Sequence, residues 1–528
     1  MSACVFALPA RADVCSVTET RGALANMSGA HITSVDVVSE GPDLPGALGF
    51  FGGFHVASQP SVIRRRLLFA PGDTVDTLLV GESMRRLRAQ RLYSDAVIVA
   101  RQCEPGGGVA LLIRTRDTWT FRPTAQIRSS SQLSFGIEER NLFGTGRTLG
   151  ATREMTTRGN GGAVSLIDPF LLGSDVAGNA RIANLAGGHA LRLGLRRHEY
   201  SVFDNWKIEG NLARLSYEDT IVNERALHTI SAMTMVGRRF GGGETNVTMM
   251  LAGIEFDSAA SISTSRRAVA GSPHVRSFRG IDIGLQRRTA QFDNAEWLVP
   301  GKGFLDIPIG WEGEGVVAGG YENDARVPAL KLDGWIGRVW VPGRTSILLA
   351  DGWLSGYYGR GVDQNQITRA SVSYFASAPR GMWSLKLMAE QLLELDPDRR
   401  GLSLMPAFDY TTPVVRQYAA RGGRSMAGSV NRDVRVMHVG AASVLNVGGF
   451  MAGSYRWRVD SVPGNTINSG VVGARLRLLS ANGAVSSVRV DVGYPVAGSE
   501  ILARKPFVVV IFGALFDVSR ARDGRRVY

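Results

Sequence analysis

Strict alternation of apolar and polar residues, repeated in short segments from about residue 130 to 516, constrains this chain more than any other feature. In 487–494, Val488, Val490, Val492 and Tyr494 oppose Arg489, Asp491 and Gly493. In 454–459, Tyr455, Trp457 and Val459 oppose Arg456 and Arg458, and in 190–196, Leu191, Leu193 and Leu195 oppose Arg192, Gly194 and Arg196. Side chains on a strand alternate between its two faces, so each segment has one greasy and one charged surface. A soluble sandwich alternates too, but hides its apolar faces between two sheets. Here the segments are too many for one sandwich, and no helices intervene to cover a sheet. A closed transmembrane antiparallel barrel, apolar toward lipid and polar toward its lumen, satisfies both surfaces.

Composition agrees with that reading. At 528 residues the chain has room for two or three domains. Its mean hydropathy is zero, as suits strands that meet lipid only at every second position. No run of about 18 apolar residues exists, which excludes a spanning helix; the longest apolar run, Phe507 to Phe516, has the length of a strand. The net charge of +13 comes from arginine, since only five lysines are present. Arginines spread along alternating strands fit a lumen and rim that meet anionic lipid headgroups or polypeptide; a genomic bias toward arginine is the plainer alternative. One concentrated basic patch, the mark of a nucleic-acid partner, is missing.

Residues 1–12 read as a signal-peptide remnant, because Ala10-Arg11-Ala12 matches a small-x-small cleavage site after the apolar Val5 to Leu8; an ordinary unstructured start is the alternative. Cleavage there removes Cys4 and begins a segment 13–30. Cys15 and Cys103 are then either a disulfide pair in an oxidising compartment or two free thiols.

Residues 31–122 form a separate unit. A strand over 31–41, helices over 61–69 and 75–92, and strands over 96–101 and 109–115 give the order β-α-α-β-β. Val80, Met84 and Leu87 share one helical face, with Arg85, Arg86 and Arg88 mainly on the wet side and Asp73 or Asp76 as N-cap. The order, the stretch Val62-Ile63-Arg64-Arg65-Arg66-Leu67-Leu68-Phe69, the turn Pro71-Gly72-Asp73 and the segment Glu82 to Arg88 before Leu92-Tyr93 resemble a POTRA (polypeptide-transport-associated) domain. Asp117-Thr118-Trp119-Thr120 is similar to its exit, and only one such domain fits before the barrel.

Residues 123–518 resemble the bacterial outer-membrane barrels of the BamA/TamA type, the bacterial surface antigen family, and 519–528 is left as a basic tail. Gly136 to Gly146 is similar to the family's first strand and turn, Ile167-Asp168-Pro169-Phe170 to the end of its third strand, and Gly470 to Arg475 with Arg489 to Pro495 to two of its last strands. Val415-Arg416-Gln417-Tyr418 stands where the family carries the V/L-R-G-F/Y tip of a loop folded into the lumen, with Gln417 replacing glycine. Asn431-Arg432-Asp433-Val434-Arg435 follows on the next strand, and Met451 occupies the place of an expected acid. A lumenal Arg416 needs a carboxylate, for which Asp433, Asp460 and Asp491 are candidates. Nineteen or twenty extended segments lie between 130 and 516; the resemblance implies sixteen strands, the surplus being loop hairpins.

What the resemblance implies is an outer-membrane barrel with its small domain in the periplasm. It would assist insertion of outer-membrane proteins, or move polypeptide, by strand addition. The seam would lie between Gln132–Asn141 (Phe135, Ile137) and Phe507–Phe516 (Phe507, Phe512, Phe516), and the edge of a three-stranded periplasmic sheet would add a client strand. Its partners would be outer-membrane lipids, unfolded outer-membrane clients or a secreted polypeptide, and periplasmic proteins or lipoproteins. A dedicated secretion pore and a non-catalytic structural barrel are the alternatives. Enzymatic chemistry is not expected: the seven histidines form no metal-binding spacing, no G-x-S-x-G elbow exists, and Gly313, Gly315 and Ala318 lack the βαβ context of a dinucleotide fingerprint. No catalytic, cofactor-binding or metal-ligating residue is assigned.

Overall fold

The computed structural model describes residues 16–18, 28–42 and 55–514, less 91, 103–107, 130–131, 157–158, 186, 198–203, 220–224, 244, 264–273, 290, 295–305, 323–326, 360–364, 394–422, 439–442, 458–465, 481–485 and 499–505. The small unit contains β1 (Ser16–Thr18), β2 (Ile32–Glu40), helices α1 (Pro60–Arg64) and α2 (Thr77–Arg88), β3 (Tyr93–Gln102) and β4 (Val109–Asp117). Helices on one side of the sheet bury Ile63 and Leu87 against Ile32, Ala96, Leu111 and Ile113, a core that supports the small unit. Both helices are shorter than their apolar spacing predicts. Asp76 caps α2 by accepting from the Leu78 and Leu79 amides at 2.8 and 3.4 Å. Asp73 closes the preceding turn instead, accepting from the Ala70 amide at 2.7 Å.

Two expectations for this unit fail. Arg86 is buried, not on the wet side; Arg85 pairs with Glu82 at 2.5 Å, and Arg88 donates to the Ala96 carbonyl at 3.3 Å. The sheet also has four strands, in the order β1-β3-β4-β2, because Ser16–Thr18 pairs antiparallel with Ala100 to Gln102. The outer edge of β3 is therefore partly occupied by the chain itself, which leaves β2 as the open edge.

The large sheet begins with β5 (Phe121–Ser129), β6 (Gln132–Leu142), β7 (Arg147–Thr156), β8 (Gly159–Asp168), β9 (Val176–Leu185) and β10 (Gly188–Arg197). Longer strands follow: β11 (Trp206–Asp219), β12 (Arg225–Gly242), β13 (Asn246–Ser263) and β14 (His274–Thr289). A hairpin of β15 (Phe292–Asn294) and β16 (Asp306–Pro308) interrupts the wall, which resumes with β17 (Gly310–Glu322), β18 (Val327–Gly343), β19 (Ser346–Tyr358), β20 (Gln366–Ala378) and β21 (Gly381–Leu393). It ends with β22 (Gly423–His438), β23 (Ser443–Trp457), β24 (Thr466–Ser480), β25 (Ser486–Gly498) and β26 (Phe507–Ala514).

Every neighbouring pair is antiparallel and the sheet curls until β26 meets β5, giving twenty strands among the described residues where sixteen were expected. Apart from the β15/β16 hairpin, the strands described between residues 121 and 514 belong to the wall, not to loop hairpins. Their two faces segregate as the alternation requires: on β14, Ile281 and Ile283 are 65% and 64% exposed, while Asp282 between them is 1% exposed. Trp206, Trp311, Tyr321, Trp383, Tyr455 and Tyr494 are also exposed. Among the described residues, no helix is long and apolar enough to cross a membrane. Gly313 and Gly315 lie in β17 as ordinary strand residues.

Candidate functional site

The weakest joint in the wall is the one between its ends. Strands β25 and β26 pair from Ser486↔Ala514 to Gly493↔Phe507, and β5 and β6 from Phe121↔Glu139 to Ser129↔Gln132. Between β26 and β5 the described residues make one register pair, Val510↔Ile127. Pro123 helps explain it. The Arg140 amide donates to the Thr120 carbonyl at 3.2 Å, so Thr120 turns its hydrogen-bonding groups toward β6. Alternation along β5 then turns residues 121, 123, 125 and 127 toward β26. Proline has no N–H, and one donor is missing on the seam side.

This arrangement corrects the expected seam. Phe135 and Ile137 lie on β6 and face outward, one strand away from the joint, because β5 stands between β6 and β26. Gly136 to Gly146 accordingly spans the second strand of the wall and its turn, and Ile167 and Asp168 end the fourth. Phe507 and Phe512 are in β26, paired with Gly493 and Val488; Phe516 lies outside the described residues.

Among the described residues, five wall strands lie between residues 423 and 514, and their inner face carries a buried charge cluster. Arg475 on β24 donates to Asp491 on β25 at 2.6 Å and to the Asn431 side chain on β22 at 2.9 Å. Arg489 lies 2.9 Å from the other oxygen of Asp491, and Arg477 pairs with Asp433 on β22. Phe450 on β23 lies under Arg475, whose guanidinium carbon is 5.0 Å from the ring centroid. Buried charges persist only when paired and hydrogen-bonded, and here two carboxylates serve three guanidiniums. Thus Asp433 and Asp491, the candidate partners of Arg416, already hold Arg477, Arg475 and Arg489. Met451 faces outward, so it stands outside this cluster. Val415, Arg416, Gln417, Tyr418, Asp460, Cys15 and Cys103 lie outside the described residues.

A second charged lattice fills the inner face of β11 to β19. Lys207 on β11 donates to Glu314 on β17 at 2.8 Å and lies 3.7 Å from Glu209, while Gln286 on β14 donates to the same Glu314 oxygen at 2.8 Å. Lys331 on β18 donates to Glu255 on β13 at 2.6 Å. Tyr357 on β19 donates to Asp257 on β13 at 2.6 Å, and Arg276 on β14 lies 3.3 Å from that oxygen. The Tyr357 ring meets Phe278 edge-on at 5.4 Å.

The small unit clasps the near rim of the wall. Buried Asp117 accepts from the Ser39 hydroxyl at 3.1 Å and the Ser58 amide at 2.7 Å, and pairs with His55 at 2.9 Å. Asn141, at the end of β6, donates to the Val56 carbonyl and the Ser58 hydroxyl at 3.2 and 3.1 Å. The Gln59 amide donates to the Gly144 carbonyl at 2.9 Å. Gly144 is required twice over: its φ is +73°, and a Cβ there would stand 2.4 Å from the Ala57 carbonyl oxygen. Arg65 and Arg66 lie over Phe170 at 5.5 and 5.1 Å, and Arg85 lies over Phe292 at 4.4 Å. Two stretches singled out by resemblance, Gly136 to Gly146 and Ile167 to Phe170, therefore meet the small unit.

Wall and interior together define a large antiparallel β-barrel with an apolar outer face and a charged inner one. No family model matches the chain, and no curated protein matches it. Similar solved structures include BamA from Haemophilus ducreyi lacking POTRA domains 1–3, at 11% identity and a TM-score of 0.36, covering 91% of this chain and 84% of that one. CdiB from Acinetobacter baumannii is 10% identical with a TM-score of 0.39, covering 94% and 78%. CdiB from Escherichia coli is 10% identical with a TM-score of 0.41, covering 94% and 80%. At such identities the chemistry of the lumen is this chain's own.

Proposed function

We propose that the chain is an outer-membrane barrel of the assembly and translocation type, which adds an incoming strand at the β5/β26 joint. The carrying observation is the single register pair Val510↔Ile127 in a wall otherwise laced along whole strands. A strand edge with unused backbone donors and acceptors binds extended polypeptide without reading its sequence. The exposed apolar outer face supports a place in lipid, because exposed isoleucines and aromatics alternate with buried charge along the same strands. In this reading the small unit is a POTRA domain in the periplasm, the wall's clients are unfolded outer-membrane proteins, and no chemistry is catalysed. Its free edge for a client strand is β2, since β1 occupies part of β3.

Locking the joint tests the proposal. In the full chain, Ile127→Cys with Val510→Cys should form a disulfide that halts accumulation of other barrel proteins until a reductant is added. Unimpaired accumulation with the disulfide formed would sink the insertase reading. Loss of one exported polypeptide with other barrels unchanged would select the secretion pore.

A further inference from the structure

Twenty strands should enclose a wide aqueous channel, since sixteen to eighteen already do so in porins. The lattice of β11 to β19 contradicts that expectation. Lys207 and Glu314 stand on strands with β12, β13 and β14 between them; Lys331 and Glu255 have β14 and β17 between; Tyr357 and Asp257 have β14, β17 and β18 between. Along a flat sheet, four steps of about 4.8 Å would hold the first pair roughly 19 Å apart. Their charged ends are 2.8 Å apart, so the wall bends inward here far enough for the two long side chains to bridge it.

Between them remains a cavity of about 300 Å³, bounded by Arg192 on β10 and Ile367 on β20. Lys207, Glu255, Glu314 and Lys331 line it, so the ion pairs stand across the space that a threading polypeptide would need. The cluster at Arg475 is built differently. Its links to Asp491 and Asn431 join adjacent strands or strands one apart, so it lies along the wall without crossing the lumen.

We infer that the lysine–carboxylate lattice partitions the lumen: the lobe between β10 and β20 is pinned shut, and whatever passes through the barrel, ion or polypeptide, is confined to the lobe beside the β5/β26 joint. The inference rests on the membrane-barrel reading above. It makes Lys207 and Lys331 determinants of pore size, with compact ammonium groups in a chain whose cations are mostly arginine.

The test uses the full chain reconstituted in liposomes, with folding followed by heat-modifiable electrophoretic mobility. In one form, Glu255→Cys and Lys331→Cys are joined by a short bis-methanethiosulfonate linker; in the other, Lys207→Met and Lys331→Met remove both cations at similar volume. The linker should close efficiently and leave ion flux at the wild-type level, while the double methionine form should raise flux several-fold. Folded protein that resists the linker, that loses flux once linked, or that keeps wild-type flux as the double methionine form overturns the partition alone. A wild-type chain that does not fold into lipid overturns the membrane-barrel reading and the partition with it.

Discussion

The ring of Phe450 occupies the space that a side chain at position 473 would need: a Cβ on Gly473 would stand 2.4 Å from its Cζ atom. The two residues are register partners on β23 and β24, so the glycine makes the seat in which the ring supports Arg475. Gly473→Ala should destabilise the folded barrel by about 1–3 kcal/mol, the usual cost of overpacking. The same Cβ would also meet the Val492 carbonyl oxygen at 2.4 Å, so Phe450→Ala in the same chain should recover only part of the loss. Urea unfolding in detergent micelles measures both.

Asp491 is the shared acceptor of Arg475 and Arg489. Removing it as Asp491→Ala leaves three guanidiniums with Asp433 alone, and breaking a buried pair costs roughly 3–5 kcal/mol. The temperature at which the protein loses its compact electrophoretic form should fall, and by more than for Arg147→Ala, whose side chain is about half exposed in its bridge to Asp168.

Pro123 withholds a donor from the β26 side of β5. Pro123→Ala restores that N–H and should strengthen the joint by about 0.5–1.5 kcal/mol, one net hydrogen bond. The expected result is slower amide exchange in β26 together with slower client insertion. Unchanged exchange in β26 would show that the proline does not limit the joint.

Asp117 ties residues 55–58 to the sheet of the small unit, and through Asn141 to the rim. In Asp117→Ala the buried Ser58 amide loses its acceptor, at about 1–3 kcal/mol. Proteolysis should then cut near residues 55–60 while the barrel's own unfolding is unaffected.

Burial pushes the Tyr93 hydroxyl above the ordinary tyrosine value of about 10, with the charge of Asp117 adding to the rise and Arg66 opposing it. A pKa raised on folding means that the folded state keeps its proton longer than the unfolded chain. The small unit should hold its full stability up to about pH 10 and lose it as pH climbs through the elevated value. Phenolate absorbance and fluorescence unfolding, recorded together, should move in step above pH 10 in the wild type and separate in Tyr93→Phe.

Alternation made the wall legible because each strand's two solvents are written into every second residue, as Ile281, Asp282 and Ile283 illustrate. The first strand is hidden in the sequence for a local reason: Pro123 reads as a breaker, which a strand at a joint tolerates because the missing N–H faces the weakly paired side. Arg86 is buried although its helical spacing places it on the wet side, because spacing alone does not register what packs over α2. The lattice was invisible for a different reason. Lys207 and Glu314 are far apart in sequence and meet only through the curvature of the whole wall. The reserved acids were half legible: Asp433 and Asp491 do hold arginines, but those on neighbouring strands, which a motif centred on Arg416 does not anticipate.

Nearly all of the wall is stitched between strands adjacent in sequence, while Val510 and Ile127 come from its two extremities. Such a ribbon zips hairpin by hairpin and closes last, passing through an uncurled form with two bare margins and a greasy flank. Until those two strands meet, every copy of the chain presents two unpaired strand edges that must be kept from pairing elsewhere.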